Sequence, residues 1–227
     1  MRIPLTKYGW PQVVIFPVAI LVVMIAVLLG TRGFLQPWIV ISAEALLAVI
    51  LIWSLTFFRD PERRCPSDSN LLLAPADGQI TDIGTVEKND FIGGTALRIG
   101  IFLSIFNTHI NRAPCNVKIE KITYREGKYK NAMNPLSSQV NESNDLGLIR
   151  TDNPQDRLIV RQISGAIARR IVCDKTEGQV LTSGEKFGMI KFGSRTELYL
   201  PLRENAKCLV QIGDKVKAGL TALVKYE

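Results

Sequence analysis

Near the C-terminal end of this 227-residue chain, Gly193 and Ser194 lie within Lys191-Phe192-Gly193-Ser194-Arg195. A serine directly after a glycine sets a hydroxyl beside a carbonyl that it can attack. Attack of Ser194 Oγ on the Gly193 carbonyl would exchange the peptide bond for an ester. Gly193 lacks a side chain, so the backbone there can take the tight conformation this requires. A base must remove the hydroxyl proton. His109 is the one histidine in the chain, and a proton transfer near neutral pH falls to it first. Asp77, in Ala74-Pro75-Ala76-Asp77-Gly78, offers a carboxylate, and Asn141-Glu142-Ser143-Asn144 adds a polar cluster. Each also has an ordinary structural reading. Gly-Ser and Asp-Gly are turn dipeptides, a lone histidine often closes a strand, and a polar run is often a solvated loop.

The elements around these residues read as strands. From Asn70 onward, short apolar runs alternate with turn residues: Leu71 to Leu73, Gln79 to Ile83, Ala96 to Phe106, Val117 to Tyr124, Leu158 to Ile163, Ala168 to Cys173 and Glu197 to Leu200. Lys118 to Tyr124 alternates with the period of two expected of a half-buried strand. Helical periodicity is weak, with Asn131 to Asn134 and Glu185 to Met189 as its only candidates. Asn134 to Asn153 is polar, holds Pro135 and Gly147, and reads as a long loop. Gly213 to Gly219 reads as a turn between two strands. The expected class is mostly β, a compact sandwich or barrel-like cytosolic domain over 61–227.

An apolar pair precedes it. Gln12 to Gly30 is almost wholly apolar, Thr31-Arg32-Gly33 interrupts, and a second run from Phe34 to Phe58 is broken only by Gln36, Ser42, Glu44, Ser54 and Thr56. Each run has the length of a membrane-crossing helix, and the short break makes them a hairpin over residues 1–60. Trp38 and Trp53 sit near run ends, where indole rings favour the interface. Arg2 and Lys7 precede the hairpin, and Arg59, Arg63 and Arg64 follow it, against Arg32 alone in the turn. That bias puts both ends on the cytoplasmic side of the cell membrane. A cleaved signal peptide fits poorly, because a second apolar run follows with no small-residue cleavage site.

The formal net charge is +7, with 22% charged and 47% apolar residues. A basic excess calls for an anionic partner. Basic runs interleaved with aromatics are absent, which sets nucleic acid aside in favour of an anionic lipid leaflet or acidic small molecules. Cys65, Cys115, Cys173 and Cys208 are far apart and form no CxxC pair, so no metal site is expected.

Taken together, these segments resemble the phosphatidylserine decarboxylase family in its short prokaryotic form. The resemblance runs through FFRDPER, APADG, FNTHINRAP, GKYKNAMNP, NESN, QISGAIARRIV and GMIKFGSRTELYLP, in that order, and covers nearly the whole chain. It implies a proenzyme that cleaves itself between Gly193 and Ser194 into a large chain, 1–193, and a small chain, 194–227. Ser194 becomes a covalent pyruvoyl group. The substrate amine condenses with that ketone as a Schiff base, which takes up the electrons left when carbon dioxide departs. The product is phosphatidylethanolamine. Two departures stand out. Long-form relatives carry a second histidine where this chain has Arg112, and an often acidic position is here Asn107.

In that frame Ser194, His109 and Asp77 are the expected catalytic residues, with His109 as proton donor to the substrate carbon. Arg112, Asn141, Asn144 and Arg195 are expected to hold the headgroup, with Arg169 and Arg170 as further anion partners. The expected partners are the phospholipid, the anionic leaflet and the two chains themselves, in a heterodimer that can assemble further. Two other readings remain. One is a decarboxylase of another serine phospholipid, such as archaetidylserine. The other is a membrane-tethered β-sandwich adaptor without activity, since Gly213 to Gly219 resembles the turns of biotinyl and lipoyl carriers.

Overall fold

A computed structural model describes residues 4–31, 34–134, 136–152, 154–166, 170–191 and 193–227. Arg2, Arg32, Gly33, Pro135, Asn153, Ala168, Arg169 and Phe192, drawn on above, lie outside the described residues. The chain divides into two units, Met1–Glu62 and Arg63–Glu227.

The first unit holds α1 (Gln12–Gly30) and α2 (Pro37–Phe57), packed on each other. Both are long and apolar enough to cross a membrane. At 1.5 Å per residue they span about 28 and 31 Å, close to a hydrocarbon core of about 30 Å. Pro37 opens α2, where its fixed φ suits a first turn and its missing N–H costs nothing. The three hydroxyls of α2 are satisfied within the helix, while Glu44 Oε1 has no hydrogen-bond partner among the described residues. Ser42, Ser54 and Thr56 donate to the carbonyls of Trp38, Leu51 and Ile52 at 2.8, 2.8 and 2.7 Å. No water is needed for them in an apolar surrounding. After α2, Phe57 and Phe58 meet edge to face at 5.1 Å, and the Phe58 carbonyl accepts from Thr6 N–H.

The second unit is mostly β. In chain order its strands are β1 (Leu71–Leu73), β2 (Gly78–Asn89), β3 (Gly94–Leu103), β4 (Ile110–Arg112), β5 (Val117–Arg125), β6 (Ser143–Arg150) and β7 (Arg157–Ser164). β8 (Arg170–Cys173), β9 (Val180–Leu181), β10 (Lys186–Lys191), β11 (Ser194–Pro201), β12 (Ala206–Cys208), β13 (Lys215–Val216) and β14 (Ala222–Tyr226) follow. One short helix, α3 (Ser137–Val140), precedes β6. An eight-stranded sheet in the order β13-β2-β3-β11-β7-β6-β5-β9 curls into a half-barrel. Two three-stranded sheets, β1-β14-β12 and β4-β10-β8, complete the unit. Among the described residues, the strands named here all pair antiparallel.

β11 organises the sheet. It pairs with β3 on one side and β7 on the other, and its residues Ser194 to Leu200 are all buried. Alternation explains how one strand tolerates two covered faces. Leu198 and Leu200 enter the apolar core with Ile99, Ile101, Val160 and Phe187. Burying such a side chain contributes about 1.5–3 kcal/mol each. On the opposite face, Arg195, Glu197 and Tyr199 form a polar layer. Arg195 pairs with Asp82 and donates to Glu197 Oε1 at 2.8 Å, and Tyr199 donates to Glu197 Oε2 at 2.5 Å. Burial and the neighbouring Glu197 carboxylate push the Tyr199 phenol well above its usual range, against the opposing pull of Arg161.

Several expected boundaries move. Asn134 to Asn153, expected as a loop, contains α3 and then β6, an interior strand of the large sheet. Its polar residues misled because they pair across strands: Asn144 donates to Gln162, and Asp145 takes two bonds from Arg161 at 2.6 Å. Asn131 to Asn134 is a turn rather than a helix, and Glu185 to Met189 runs into strand β10. The Gly213 to Gly219 segment contains β13, which pairs with β2, as well as turns. β3 ends at Leu103, with Ser104 to Phe106 turning out of the sheet.

Candidate active site

The chain changes sheets between β10 and β11. Lys191 ends β10 in one three-stranded sheet, and Ser194 begins β11 in the large one. Gly193 makes the crossing with φ of +65°, a left-handed conformation that costs little only without a Cβ. Its carbonyl oxygen lies against the backbone of Gly165, where a Cβ would come within 2.1 Å of it. Ser194 is flanked by Leu103 on β3 and Ser164 on β7. Its side chain is fully buried, and among the described residues its Oγ has no hydrogen-bond partner. A buried hydroxyl left unpaired costs about 1–3 kcal/mol, so it asks for a reason.

His109 is buried immediately before β4. Ile190 N–H donates to its carbonyl at 3.2 Å, tying it to the strand that leads into Gly193. Its ring is assigned by its neighbours. Nδ1 lies 3.0 Å from the Asn107 carbonyl oxygen, which can only accept. Nε2 accepts from Gly193 N–H at 3.3 Å. The proton therefore sits on Nδ1 and the lone pair of Nε2 faces the Gly193-Ser194 junction. Asn107 serves here through its main chain as well as its side chain, whose Oδ1 accepts from Ser104 N–H and Oγ.

Asp77, expected with His109 as a candidate base, is held by Arg63 and by the C-terminal segment. Its two oxygens take bonds from Arg63 Nη1 and Nη2 at 2.5 and 2.7 Å, and Oδ1 also accepts Ala218 N–H at 2.8 Å. Arg63 donates in turn to the Ala218 carbonyl at 2.7 Å. Asp77 thus clasps the C-terminal segment onto the start of the unit.

The four residues expected to hold a headgroup are all buried. Arg195 is occupied by Asp82, Glu197 and Thr81, and Gly100 leaves it the room, since a Cβ there would strike its guanidinium. Arg112 donates to the Gly184 carbonyl at 3.0 Å. Asn141 bridges segments, donating to the carbonyls of Lys130 and Ser164 at 2.8 Å and accepting from Lys130 N–H at 2.9 Å. Asn144 donates to Gln162 Oε1 at 3.0 Å. In this structure each of these side chains bonds groups of the chain itself. Arg170 is exposed and stands directly across from Lys191. Burial, with Arg170 beside it, holds the Lys191 ammonium below its ordinary value.

Sequence reasoning gave no role to Asn111, Gln162, Ser164 and Thr196, which the fold links to Asn144 and Glu142. Asn111 Nδ2 donates to Thr196 Oγ1 at 3.0 Å, Gln162 Nε2 to Asn111 Oδ1 at 2.9 Å, and Asn144 to Gln162. This buried amide ladder joins β4, β11, β7 and β6 two residues along from His109, Ser194 and Ser164. Glu142 lies across from Ser164, whose N–H and Oγ both donate to the Glu142 carbonyl at 3.0 and 3.2 Å. The Glu142 carboxylate is buried, with Oε1 taking the Tyr124 hydroxyl at 2.6 Å and Oε2 unpartnered among the described residues. The only sequence signal for Asn111, Gln162, Ser164 and Thr196 was membership in the FNTHINRAP, QISGAIARRIV and GMIKFGSRTELYLP segments.

A cavity of about 240 Å³ opens on Gly193, between Phe102, Ser104 and Ile105 on one side and Asn131, Ala132 and Ala166 on the other. A larger hollow of about 610 Å³, bordered by Lys88, Lys121, Arg157 and Arg161, holds neither the serine nor the histidine.

The buried Ser194 hydroxyl, unpartnered among the described residues, thus follows a left-handed glycine whose N–H bonds His109 Nε2. Residues 50–224 match the family described as phosphatidylserine decarboxylase. The chain belongs to that family. Among relatives named phosphatidylserine decarboxylase proenzyme, one from Carboxydothermus hydrogenoformans is 42% identical over 178 residues, 78% of this chain and 82% of its own. One from Rhodopirellula baltica is 39% identical over 225 residues, 99% of this chain and 89% of its own. One from Chlorobium chlorochromatii is 38% identical over 222 residues, 98% of this chain and all of its own (100%). The phosphatidylserine decarboxylase match takes in Asp77, His109, Gly193 and Ser194 and begins within α2. The last two relatives extend the similarity across both apolar helices. Their name, proenzyme, describes a precursor form.

Proposed function

We propose that this chain decarboxylates phosphatidylserine to phosphatidylethanolamine and carbon dioxide, using a pyruvoyl group that it makes from Ser194. The observation that carries this is the buried, unpartnered Ser194 Oγ beside a glycine already in a left-handed conformation. In an ordinary turn a serine hydroxyl faces water or bonds its own backbone. Here it does neither among the described residues, and the residues present suit the conversion.

Self-cleavage follows from the chain's own groups. Ser194 Oγ adds to the Gly193 carbonyl carbon, and its proton passes to His109 Nε2. The carbon–nitrogen bond breaks as the ester forms, and the freed Ser194 nitrogen receives the proton. Loss of the Cα proton of residue 194 then expels the Gly193 carboxylate, ending the large chain at 193. Addition of water to the remaining dehydroalanine releases ammonia and leaves the ketone. When present, that ketone supplies an electrophile for the substrate amine and a sink for the electrons released with carbon dioxide.

The other residues position or move protons. His109 Nε2 delivers a proton to the substrate carbon that has lost carbon dioxide. Asp77, fixed by Arg63 and Ala218 N–H, keeps the small chain seated after the break rather than acting as the base. The small chain would stay held through β11 between β3 and β7, β13 on β2, and β14 on β1. The headgroup enters the cavity at Gly193, and the apolar helices keep the enzyme on the membrane with both chain ends cytoplasmic, as Lys7, Arg59, Arg63 and Arg64 favour.

Intact mass of purified protein tests this reading. Two chains are expected, 1–193 and 194–227, the smaller resistant to Edman sequencing because its first residue lacks an amine. Ser194→Ala should give one chain and no carbon dioxide release. An active wild-type enzyme found as one unbroken chain would overturn it.

A further inference from the structure

The cavity at Gly193 is walled by two loops whose tips are apolar. Ile105 lines it, and the next residue, Phe106, is 71% exposed. Ala132 lines it, and beyond it Met133 and Leu136 are 55% and 62% exposed. Single exposed apolar side chains are common on any surface. Three large ones on the two loops that wall one cavity are a patch, and such patches mark contact surfaces. The charge nearby is mostly basic: Arg125, Lys128 and Lys130 are exposed, against Glu126 alone on the same loop.

We propose that these two loops dock the catalytic unit into an anionic phospholipid surface. Phe106, Met133 and Leu136 enter the boundary between headgroups and acyl chains, and Lys128 and Lys130 lie among the phosphates. The cavity mouth then opens onto the leaflet, and a headgroup reaches residue 194 while its acyl chains stay in the bilayer. This rests on the reading that the substrate is a phospholipid. A second copy of the chain is a poorer occupant. A two-fold contact through this patch would bring the basic residues of each copy onto the same surface, with Glu126 alone on the loop to offset them.

The test uses the full chain in nanodiscs, where α1 and α2 keep it on the bilayer whatever the loops do. Two substrates are compared: long-chain phosphatidylserine within the bilayer, and dihexanoyl-phosphatidylserine supplied from solution. For Phe106→Ser/Met133→Ser/Leu136→Ser, the rate on bilayer substrate is expected to fall about tenfold or more, with the short-chain rate and self-cleavage near wild type. If the triple variant fails to self-cleave, Lys128→Gln/Lys130→Gln carries the test. Its bilayer rate should fall on phosphatidylglycerol-rich discs and change little on phosphatidylcholine-rich ones. Equal loss on both substrates, or no loss on either, overturns docking. A variant that turns from dimer to monomer with its bilayer rate unchanged assigns the patch to a second copy and also overturns it. Wild type inactive on both substrates would instead sink the proposed function.

Discussion

Asn111 Nδ2 donates to Thr196 Oγ1 across 3.0 Å, joining the strand that follows His109 to the strand that begins at Ser194. Each partner sits two residues from its reactive neighbour. The bond therefore sets the spacing between imidazole and hydroxyl, although neither partner touches the Gly193 carbonyl. Both groups are fully buried, so neither can turn to water if the other is lost. Asn111→Ala would leave Thr196 Oγ1 and Gln162 Nε2 short of a partner, at a cost of about 1–3 kcal/mol. The expected result is a folded chain that splits slowly, about tenfold or more below wild type, since small misplacements of reacting groups are expensive. A time course of intact mass measures it. Asn111→Asp, which keeps an acceptor for Gln162, should recover part of the rate. A merely structural role would lower the melting temperature and leave the rate of splitting in the folded fraction unchanged.

Gly165→Ala probes the other side of the junction. A Cβ at this position would stand 2.1 Å from the Gly193 carbonyl oxygen and 3.0 Å from its carbon. Backbone is the obstacle, and no side-chain rotation relieves it. The Gly193 carbonyl must shift, and with it the geometry that the proposed attack by Ser194 Oγ would use. We expect an uncleaved chain of full mass, with near-ultraviolet circular dichroism showing that the fold survives. Gly165→Ser should behave alike, because its added hydroxyl does not remove the clash. A Gly165→Ala protein that splits at the wild-type rate would show that this contact does not shape the scissile bond.

The fold class was legible because its signal is local. Val117 to Tyr124 alternates, and the structure makes it β5, with one irregularity between Ile119 and Lys121. The two apolar runs became α1 and α2 for an equally local reason. β6 was not legible, because Asn144 and Asp145 look solvated until their partners on β7 are known. Those partners, Gln162 and Arg161, are distant in sequence. The partners of Arg195 were hidden in the same way. A cation beside the reactive serine reads as a ligand for an anionic headgroup, yet strand alternation turns it to the opposite face, into Asp82 and Glu197. The residue types of the reactive pair could be read from the chain. The partners of buried polar side chains could not, since they depend on which strands become neighbours.

Asp77→Asn tests the clasp on the C-terminal segment. The Arg63–Asp77 pair is nearly buried on both sides, and removing one charge strands the other. Breaking such a pair costs about 3–5 kcal/mol. If Asp77 seats the small chain, the cleaved variant should release residues 194–227 at a lower denaturant concentration than wild type, as seen by size exclusion under non-reducing conditions. Arg63→Gln should do the same. If Asp77 were the base for self-cleavage, Asp77→Asn would block splitting while Arg63→Gln would not, and comparing the two variants by intact mass separates these roles.

Tyr124 reports on the buried carboxylate next to the reactive row. Its hydroxyl donates to Glu142 Oε1 at 2.6 Å, and that bond, with burial and the negative charge adding to it, pushes the phenol up to about 12. An unfolded tyrosine titrates near 10, so the folded state holds this proton more tightly. The stabilisation is fully present below about pH 10 and is lost as pH rises through about 12. An ultraviolet titration of wild type minus Tyr124→Phe should show one phenol ionising near pH 12 rather than 10. Glu142→Gln should move that transition back towards the ordinary value, because a neutral amide no longer disfavours phenolate. A Tyr124 transition that stays near 10 in the wild-type protein would mean that the carboxylate points elsewhere, and that the row of Glu142, Ser164 and Ser194 is not closed off at its outer end by this hydroxyl.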